Sequence, residues 1–312
     1  MKVLVTGGAG FIGSHVVDAL IERGDRVLAL DDLSTGMREY VSKAAEFLEL
    51  DIRTPEAAAA VRQWRPDAVC HHAAQMSVSR SVREPLFDAS VNLVGGLNLL
   101  EAAREVGARF LFASTGGALY GDADILPTPE TYPAQPVSPY GVAKLSFEHY
   151  LHCYRVQHGL PYVALRYANV YGPRQNPHGE AGVVAIFCMR LLADQQPIIN
   201  GDGKQTRDLV HVADVVRSNL LALDSDVTGH FNVGTGRQVD VNQISHMLSE
   251  RIGISPPEVH GPSRPGDQRT SALDCRLIAD KLGWRPQITL EDGLEDTAAW
   301  FRARAEGART PP

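Results

Sequence analysis

Tyr140 and Lys144 stand four residues apart in the run SPYGVAKLSFEHY. Pro139 suits the first turn of a helix, and at this spacing both side chains leave one face of it. A free phenol, with a pKa of about 10, is a poor base at neutral pH. A neighbouring ammonium favours its phenolate. An exposed Tyr and Lys on a helix are commonplace, so the pair gains meaning only from its company. A second candidate is FASTGGALYGD, residues 112–122. Two hydroxyls, Ser114 and Thr115, run straight into Gly116 and Gly117. The stretch reads either as a plain turn or as an active-site floor without its usual side chains.

The company is TGGAGFIG near the N-terminus, with Gly7, Gly10 and Gly13 at the x-x spacing. It follows the apolar run KVLV and opens the helical pattern SHVVDALIERG. Glycines there allow a tight turn and let a pyrophosphate approach the helix N-terminus. The second apolar run ends in Asp31-Asp32. An acid at that point accepts hydrogen bonds from the adenosine ribose and repels a 2′-phosphate. No arginine follows it directly, which favours NAD over NADP. A cationic nicotinamide would also favour the phenolate of Tyr140. Asp51, ending the third run, reads equally well as an adenine contact or as a cap of the next turn.

The elements that must position these residues are short and apolar: KVLV, RVLALD, EFLELD, DAVCHHA, RFLFAS and YVALRY. Helical stretches such as EAAAAVRQW and ASVNLVGGLNLLEAAREVG separate most of them. That alternation predicts a doubly wound α/β fold, a parallel Rossmann sheet covered on both faces. Residues 1–165 form the dinucleotide domain in this reading. From 166 the regularity breaks at the loop NVYGPRQNPHGEAG, and loops of that length are usually functional. Residues 166–312 are mainly a smaller α/β substrate lobe, with part of 205–235 returning to the first domain.

The chain has 312 residues, 44% hydrophobic and 21% charged, with a net charge of −7. An acidic balance argues against a nucleic-acid partner. No apolar run reaches the roughly 18 residues of a membrane span, and KVLVTG is no signal peptide. A cytoplasmic location is expected. Cys70, Cys153, Cys188 and Cys275 are far apart and read as reduced thiols without metal-ligand spacing. His71 and His72 end a buried run with no third ligand in view, so packing is preferred to a metal.

The sequence resembles the extended short-chain dehydrogenases/reductases that act on nucleotide sugars, above all the UDP-glucose (UDP-galactose) 4-epimerase group. The likeness runs through TGGAGFIGSH, LDDLSTG, HHAAQ, STGGALYG, SPYGVAK, RYANVYGPRQ, GDGKQTRDLVHVADV, FNVGTG, RPGDQRTS and LGWRP, in order along nearly the whole chain. It implies that Gly7, Gly10, Phe11, Ile12, Gly13 and Asp31 hold NAD, that Asp51 and Ile52 flank the adenine, and that Ala73, Ala74, Gln75, Asn92, Ser114 and Tyr167 line the cofactor. Lys144 would touch the nicotinamide ribose and Tyr140 would be the catalytic base and acid. For a UDP-sugar it implies Thr115, Gly116, Asn169, Arg174, Asn200, Arg207, Arg264, Asp267 and Ser271. Arg207 and Arg264 would grip the diphosphate and Asp267 the uridine ribose. A homodimer through the Tyr140 helix and the helix before it is also implied.

The implied reaction oxidises C4 of the sugar, turns the flat 4-keto sugar over and reduces its other face. In this family 4,6-dehydratases carry an Asp-Glu pair just after the Ser/Thr of FASTGG, and the related decarboxylases a Glu. Gly116 and Gly117 stand there instead, which argues for epimerisation. Many 4-epimerases have a Ser or Thr where Gly116 stands, so Thr115, a water or Tyr140 alone must serve. Ser271 falls where some epimerases carry a large aromatic residue, which leaves room for a 2-acetamido group. A UDP-glucuronate 4-epimerase, with Arg174 as its cation, and a non-catalytic NAD-binding protein are the rivals.

Overall fold

Val3, Leu4 and Val5 are fully buried in succession, so β1 (Lys2–Thr6) is covered on both faces. The same holds for β2 (Arg26–Asp31), β4 (Ala68–His71), β5 (Arg109–Thr115) and β6 (Tyr162–Tyr167), whereas β3 (Glu46–Glu49) forms an edge. This computed structural model describes residues 1–178, 182–254, 257–263 and 268–309. A seventh strand, Gly229–Val233, pairs in parallel with β6 and completes the sheet. From that edge the order is seventh strand, β6, β5, β4, β1, β2, β3, all pairs parallel. The direction of winding reverses between β1 and β4, which opens a crevice at their C-terminal ends. This is the doubly wound sheet expected from the sequence.

Helix α1 (Phe11–Glu22) and the helix Val212–Leu223 cover one face, with Val16, Val17, Leu20 and Val215 in one core. The other face carries α2 (Pro55–Trp64), then α3 (Val78–Arg83), α4 (Pro85–Ala89), α5 (Gly96–Val106) and α6 (Pro139–His158). There Leu99, Leu100, Phe147 and Leu151 pack on Leu4, Leu28 and Phe110. Each such fully buried side chain contributes about 1.5–3 kcal/mol. The helix read from ASVNLVGGLNLLEAAREVG is not uniform. Residues Ser90–Gly95 form a π-helical turn before α5. A Cβ on Gly95 would lie 2.8 Å from Ile52 Cγ1 and one on Gly96 2.6 Å from Phe147 Cε2, so the bare turn presses against both. π-turns of this kind collect at functional sites, and this one turns Asn92 inward.

Beyond β6 the helices Val183–Leu192, Val241–Ile252 and Leu290–Arg309 share a separate core around Phe187, Ile244, Leu294 and Phe301. Three short strand pairs flank it: Asn169–Tyr171 with Leu209–His211, Thr206–Arg207 with Val239–Asp240, and Ile198–Asn200 with Val259–Gly261. This is the smaller α/β lobe.

Candidate active site

The glycine turn sits where β1, β2 and β4 end together. Gly7 has φ +66°, and a Cβ on it would lie 2.7 Å from Ala73 N. A Cβ on Gly13 would lie 2.1 Å from Gly7 O. The turn is bare because β4 and the first turn of α1 leave no room. Asp31 is buried at the lip, its Oδ2 accepting from Ala9 N (3.0 Å) and its Oδ1 from Leu33 N (2.8 Å). Burial raises its pKa and the two amides oppose that rise. A bare turn, a helix N-terminus carrying Phe11 and Ile12, and a fixed carboxylate fit a dinucleotide. Ala73 N is held by Thr6 Oγ1 at 3.2 Å, which fixes the start of the Ala73–Gln75 segment.

Asp51 takes the capping alternative with its side chain. It accepts from Arg53 N at 2.9 Å and pairs with the Arg53 guanidinium, which holds its pKa low. Ile52 beside it is buried. His71 is buried among Phe110, Phe112 and Phe147 with its Nδ1 2.7 Å from Thr6 Oγ1. Burial lowers His71 far below the usual range and His72 to about 4, so both imidazoles are neutral packing groups. Among the described residues no three His, Cys, Asp or Glu side chains gather at one point.

Ser138 caps α6 by accepting from Gly141 N at 3.2 Å. A Cβ on Gly141 would lie 2.5 Å from Ala118 O, so the helix start rests directly on the loop after β5. This contact brings Tyr140 to Thr115, whose hydroxyl lies close enough to favour the phenolate. Thr115 Oγ1 also accepts from Ala118 N at 3.2 Å, which leaves its proton for the phenol oxygen. Lys144 is buried beneath the pair, its Nζ donating to Ala113 O at 2.8 Å and lying 5.8 Å from the Tyr140 ring centre. Burial lowers Lys144 to about 8, while the carboxylates of Asp88 and Glu148 hold it up. Burial raises the Tyr140 phenol, Asp88 raises it further and Thr115 counters both.

Ser114 points the other way. Its Oγ donates to Glu148 Oε1 at 2.6 Å, inside a buried network in which Arg166 grips Glu148 and also donates to Tyr120 OH. Successive strand side chains face opposite sides, so Thr115 reaches the cleft and Ser114 the sheet interior. The Ser114 hydroxyl, expected at the cofactor, is held in this network. Tyr167 is likewise occupied: its hydroxyl and Asn219 hydrogen-bond, with Asn219 Nδ2 donating at 2.8 Å.

Asn169, Asn200 and Arg207 line one cleft of about 210 Å³ in the smaller lobe, together with Gln175 and Gln205. Arg207 Nη1 donates to the carbonyls of Thr206 and Gln268, both at 2.8 Å. Arg174 lies elsewhere. It pairs with Asp18 of α1 at 2.7 Å and stacks over Tyr40, which Arg304 and Trp300 also approach. It ties the loop after β6 to the cofactor domain and does not line that cleft. Ser271 is buried. Arg264 and Asp267 lie outside the described residues.

The sequence did not single out Asp88. It is buried, and its Oδ1 accepts from Gln75 Nε2 (2.8 Å) and Asn92 Nδ2 (2.9 Å). Asn92 also clamps the Gln75 backbone, accepting from its N–H and donating to its carbonyl. The spacing of Asp88 and Asn92, four apart across a helical stretch, was the available signal. Asp88 raises the pKa of both Tyr140 and Lys144, so Asp88→Asn should lower both. The pH profile of kcat should then move as a whole toward acid, and a profile that stays in place would show that the charge does not reach the pair.

The sequence model described as the NAD dependent epimerase/dehydratase family matches residues 3–234. A UDP-glucose 4-epimerase of Mycolicibacterium smegmatis is 44% identical over 98% of this chain and 100% of its own length. The crystal structure of a Thermotoga maritima UDP-glucose 4-epimerase with UDP-glucose is 50% identical, with a TM-score of 0.96 over 98% of this chain and 100% of that one. A Thermus thermophilus UDP-glucose 4-epimerase in complex with NAD is 47% identical, with a TM-score of 0.92 over 97% and 99% of the two chains. At these identities and this coverage the chain belongs to the NAD-dependent epimerase/dehydratase family, and NAD is its cofactor.

Proposed function

We propose that the chain interconverts UDP-glucose and UDP-galactose by inversion at C4, and accepts the N-acetylated pair as well. The observation that carries this is Tyr140 beside Thr115 and above a buried Lys144, with no carboxylate at positions 116 and 117. Tyr140 as phenolate accepts the 4-OH proton, and as phenol returns it once the face has changed. Thr115 donates to the same oxygen and steadies its negative charge. Lys144 keeps a positive charge beneath the ring. Bound NAD supplies the hydride acceptor and donor at C4. Asn169, Asn200 and Arg207 hold the nucleotide end, so the sugar can turn without leaving. Residues 1–165 with the returning helix and strand serve the cofactor, and 166–312 mainly the UDP-sugar.

Arg174 is engaged by Asp18, which removes the cation proposed for a glucuronate carboxylate. The panel to run is UDP-Gal, UDP-GalNAc and UDP-GlcA, assayed separately. The first two should be epimerised and the third not. Ser271→Tyr should lose the acetamido sugar while keeping UDP-Gal. Conversion of none of the three by wild-type protein would overturn the proposal.

A homodimer is part of the same reading. Val82, Leu86 and Val94 on the α3–α5 segment and Val142 and Val156 on α6 are exposed, Leu86 to 87%. A solution mass of one 33.9 kDa chain, and not twice that, would count against it. Four unpaired cysteines suit a reducing cytoplasm. Among the described residues no helix is long and apolar enough to cross a membrane.

A further inference from the structure

We propose that a second cavity, at the seventh-strand edge of the sheet, is a binding site for a small polyphosphate, a ligand distinct from both the cofactor and the sugar nucleotide. It holds about 670 Å³ between α6, β6, the seventh strand and the helix Arg276–Leu282. Small-molecule pockets span roughly 300–1,000 Å³.

Its walls are cationic in a chain whose net charge is −7. His149, His152 and Arg155 follow at three-residue steps along one flank of α6. His230 comes from the seventh strand and Lys281 from the helix Arg276–Leu282. The carboxylate in the lining is Glu148, and it is already committed to Arg166 and Ser114, each at 2.6 Å.

These side chains have no use inside the fold. Among the described residues, His149, His152, His230 and Lys281 make no ion pair and no side-chain hydrogen bond. Arg155 meets no carboxylate there, and one of its N–H groups donates to Gly159 O at 2.9 Å. Cations elsewhere on the surface do find acids, as Arg62 finds Glu105 and Arg269 finds Asp202. Here the positive groups oppose one another. Burial lowers the pKa of half-buried His230, and Arg166, His149 and His152 lower it further, while Glu148 raises it. A cleft of groups that oppose their own charge is suited to an anion from outside.

The donors also select the kind of anion. The fork of Arg166, which would match a planar carboxylate, is occupied by Glu148. Apart from Arg155, the free donors are one ammonium and three imidazoles, brought from three separate elements. Such point-like donors suit a tetrahedral group that offers oxygens in several directions, and an ammonium is a common phosphate partner. Their number suits two or more linked phosphates. Leu145, Phe231 and Leu277 add apolar surface on which the rest of an organic phosphate can lie.

The test is isothermal titration of the full-length holoenzyme with inorganic pyrophosphate, and with citrate as the carboxylate probe. UDP is present at saturation, to keep pyrophosphate out of the cleft around Asn169 and Arg207. One pyrophosphate should bind per chain, and more tightly than citrate. His152→Ala combined with Lys281→Ala removes two exposed donors. It should weaken pyrophosphate by about 10²-fold at unchanged Tm. Arg62→Gln, a cation removed elsewhere, should leave the affinity unchanged. Absence of saturable pyrophosphate binding would overturn the proposal. So would citrate binding as tightly, or an affinity equal in the parent and the double variant. No sugar is turned over in this experiment, so its outcome does not depend on whether the chain epimerises UDP-galactose.

Discussion

Tyr140→Phe should lower kcat for UDP-galactose by about 10²–10⁴-fold, the range for losing a positioned acid–base group. The substitution removes one oxygen and keeps the ring whose centre lies 5.8 Å from Lys144 Nζ. The residues proposed to hold the nucleotide, Asn169, Asn200 and Arg207, lie in the smaller lobe and are untouched. UDP affinity and NAD content should therefore be unchanged, which titration with UDP and the absorbance of released cofactor would measure. A variant that lost activity in proportion to lost NAD would instead assign Tyr140 a structural role. Raising the pH above about 8 probes the same geometry from the other side. Lys144 titrates there and ceases to support the phenolate, so activity should decline on that limb.

Glu148→Gln should destabilise the protein by about 3–5 kcal/mol, because it leaves a buried guanidinium without its counter-charge. Arg166 and Glu148 are 5% and 6% exposed at their side chains and meet at 2.6 Å. The same guanidinium donates to Tyr120 OH at 2.8 Å, and Tyr120 donates on to Asn232 Oδ1 at 2.8 Å. Asn232 Nδ2 reaches Thr128 O at 3.0 Å. One pair thus joins α6, β5 through Ser114, β6, the loop beyond β5 and the seventh strand. A shift in Tm of roughly 5–8 °C is expected for a loss of that size. Arg62–Glu105 is the control: its side chains are 43% and 40% exposed, and Arg62→Gln should leave the Tm nearly unchanged. If the two variants unfold alike, the buried network is not what ties these elements together.

The parts of the site legible in the sequence are those carried by a fixed local offset. The glycine spacing, Asp31 at a strand end, and Tyr140 with Lys144 one helical turn later all fall where they were read. Strand parity separates Ser114 from Thr115, and the string STGG does not say which hydroxyl faces the cleft. Arg174 lay in a loop that looked functional, but its partner Asp18 is on α1 and no local pattern links them. The Tyr167 hydroxyl bonds Asn219, a partner also distant in sequence. Asp88 was not singled out, because only the π-turn at Ser90–Gly95 and the approach of Gln75 make it a buried hub. The helix expected over that stretch is present, but its first part widens to a π-turn where Gly95 and Gly96 yield to Ile52 and Phe147. Each miss is a contact made by the fold between residues far apart along the chain.

The short parallel bridge between Thr128 and Leu273 has a consequence for the order of synthesis. Chains emerge from the ribosome N-terminus first, and domains fold largely in that order. A nascent chain exposed as far as residue 234, where the family match ends, already owns the glycine turn, Asp31, Thr115, Tyr140, Lys144 and all seven strands. It does not yet own Leu273, whose Cδ1 stands 2.4 Å from where a Cβ on Gly116 would lie. The space beside Gly116 stays open until the last quarter of the chain arrives, so the cradle for the cofactor is finished well before the floor on which the chemistry rests.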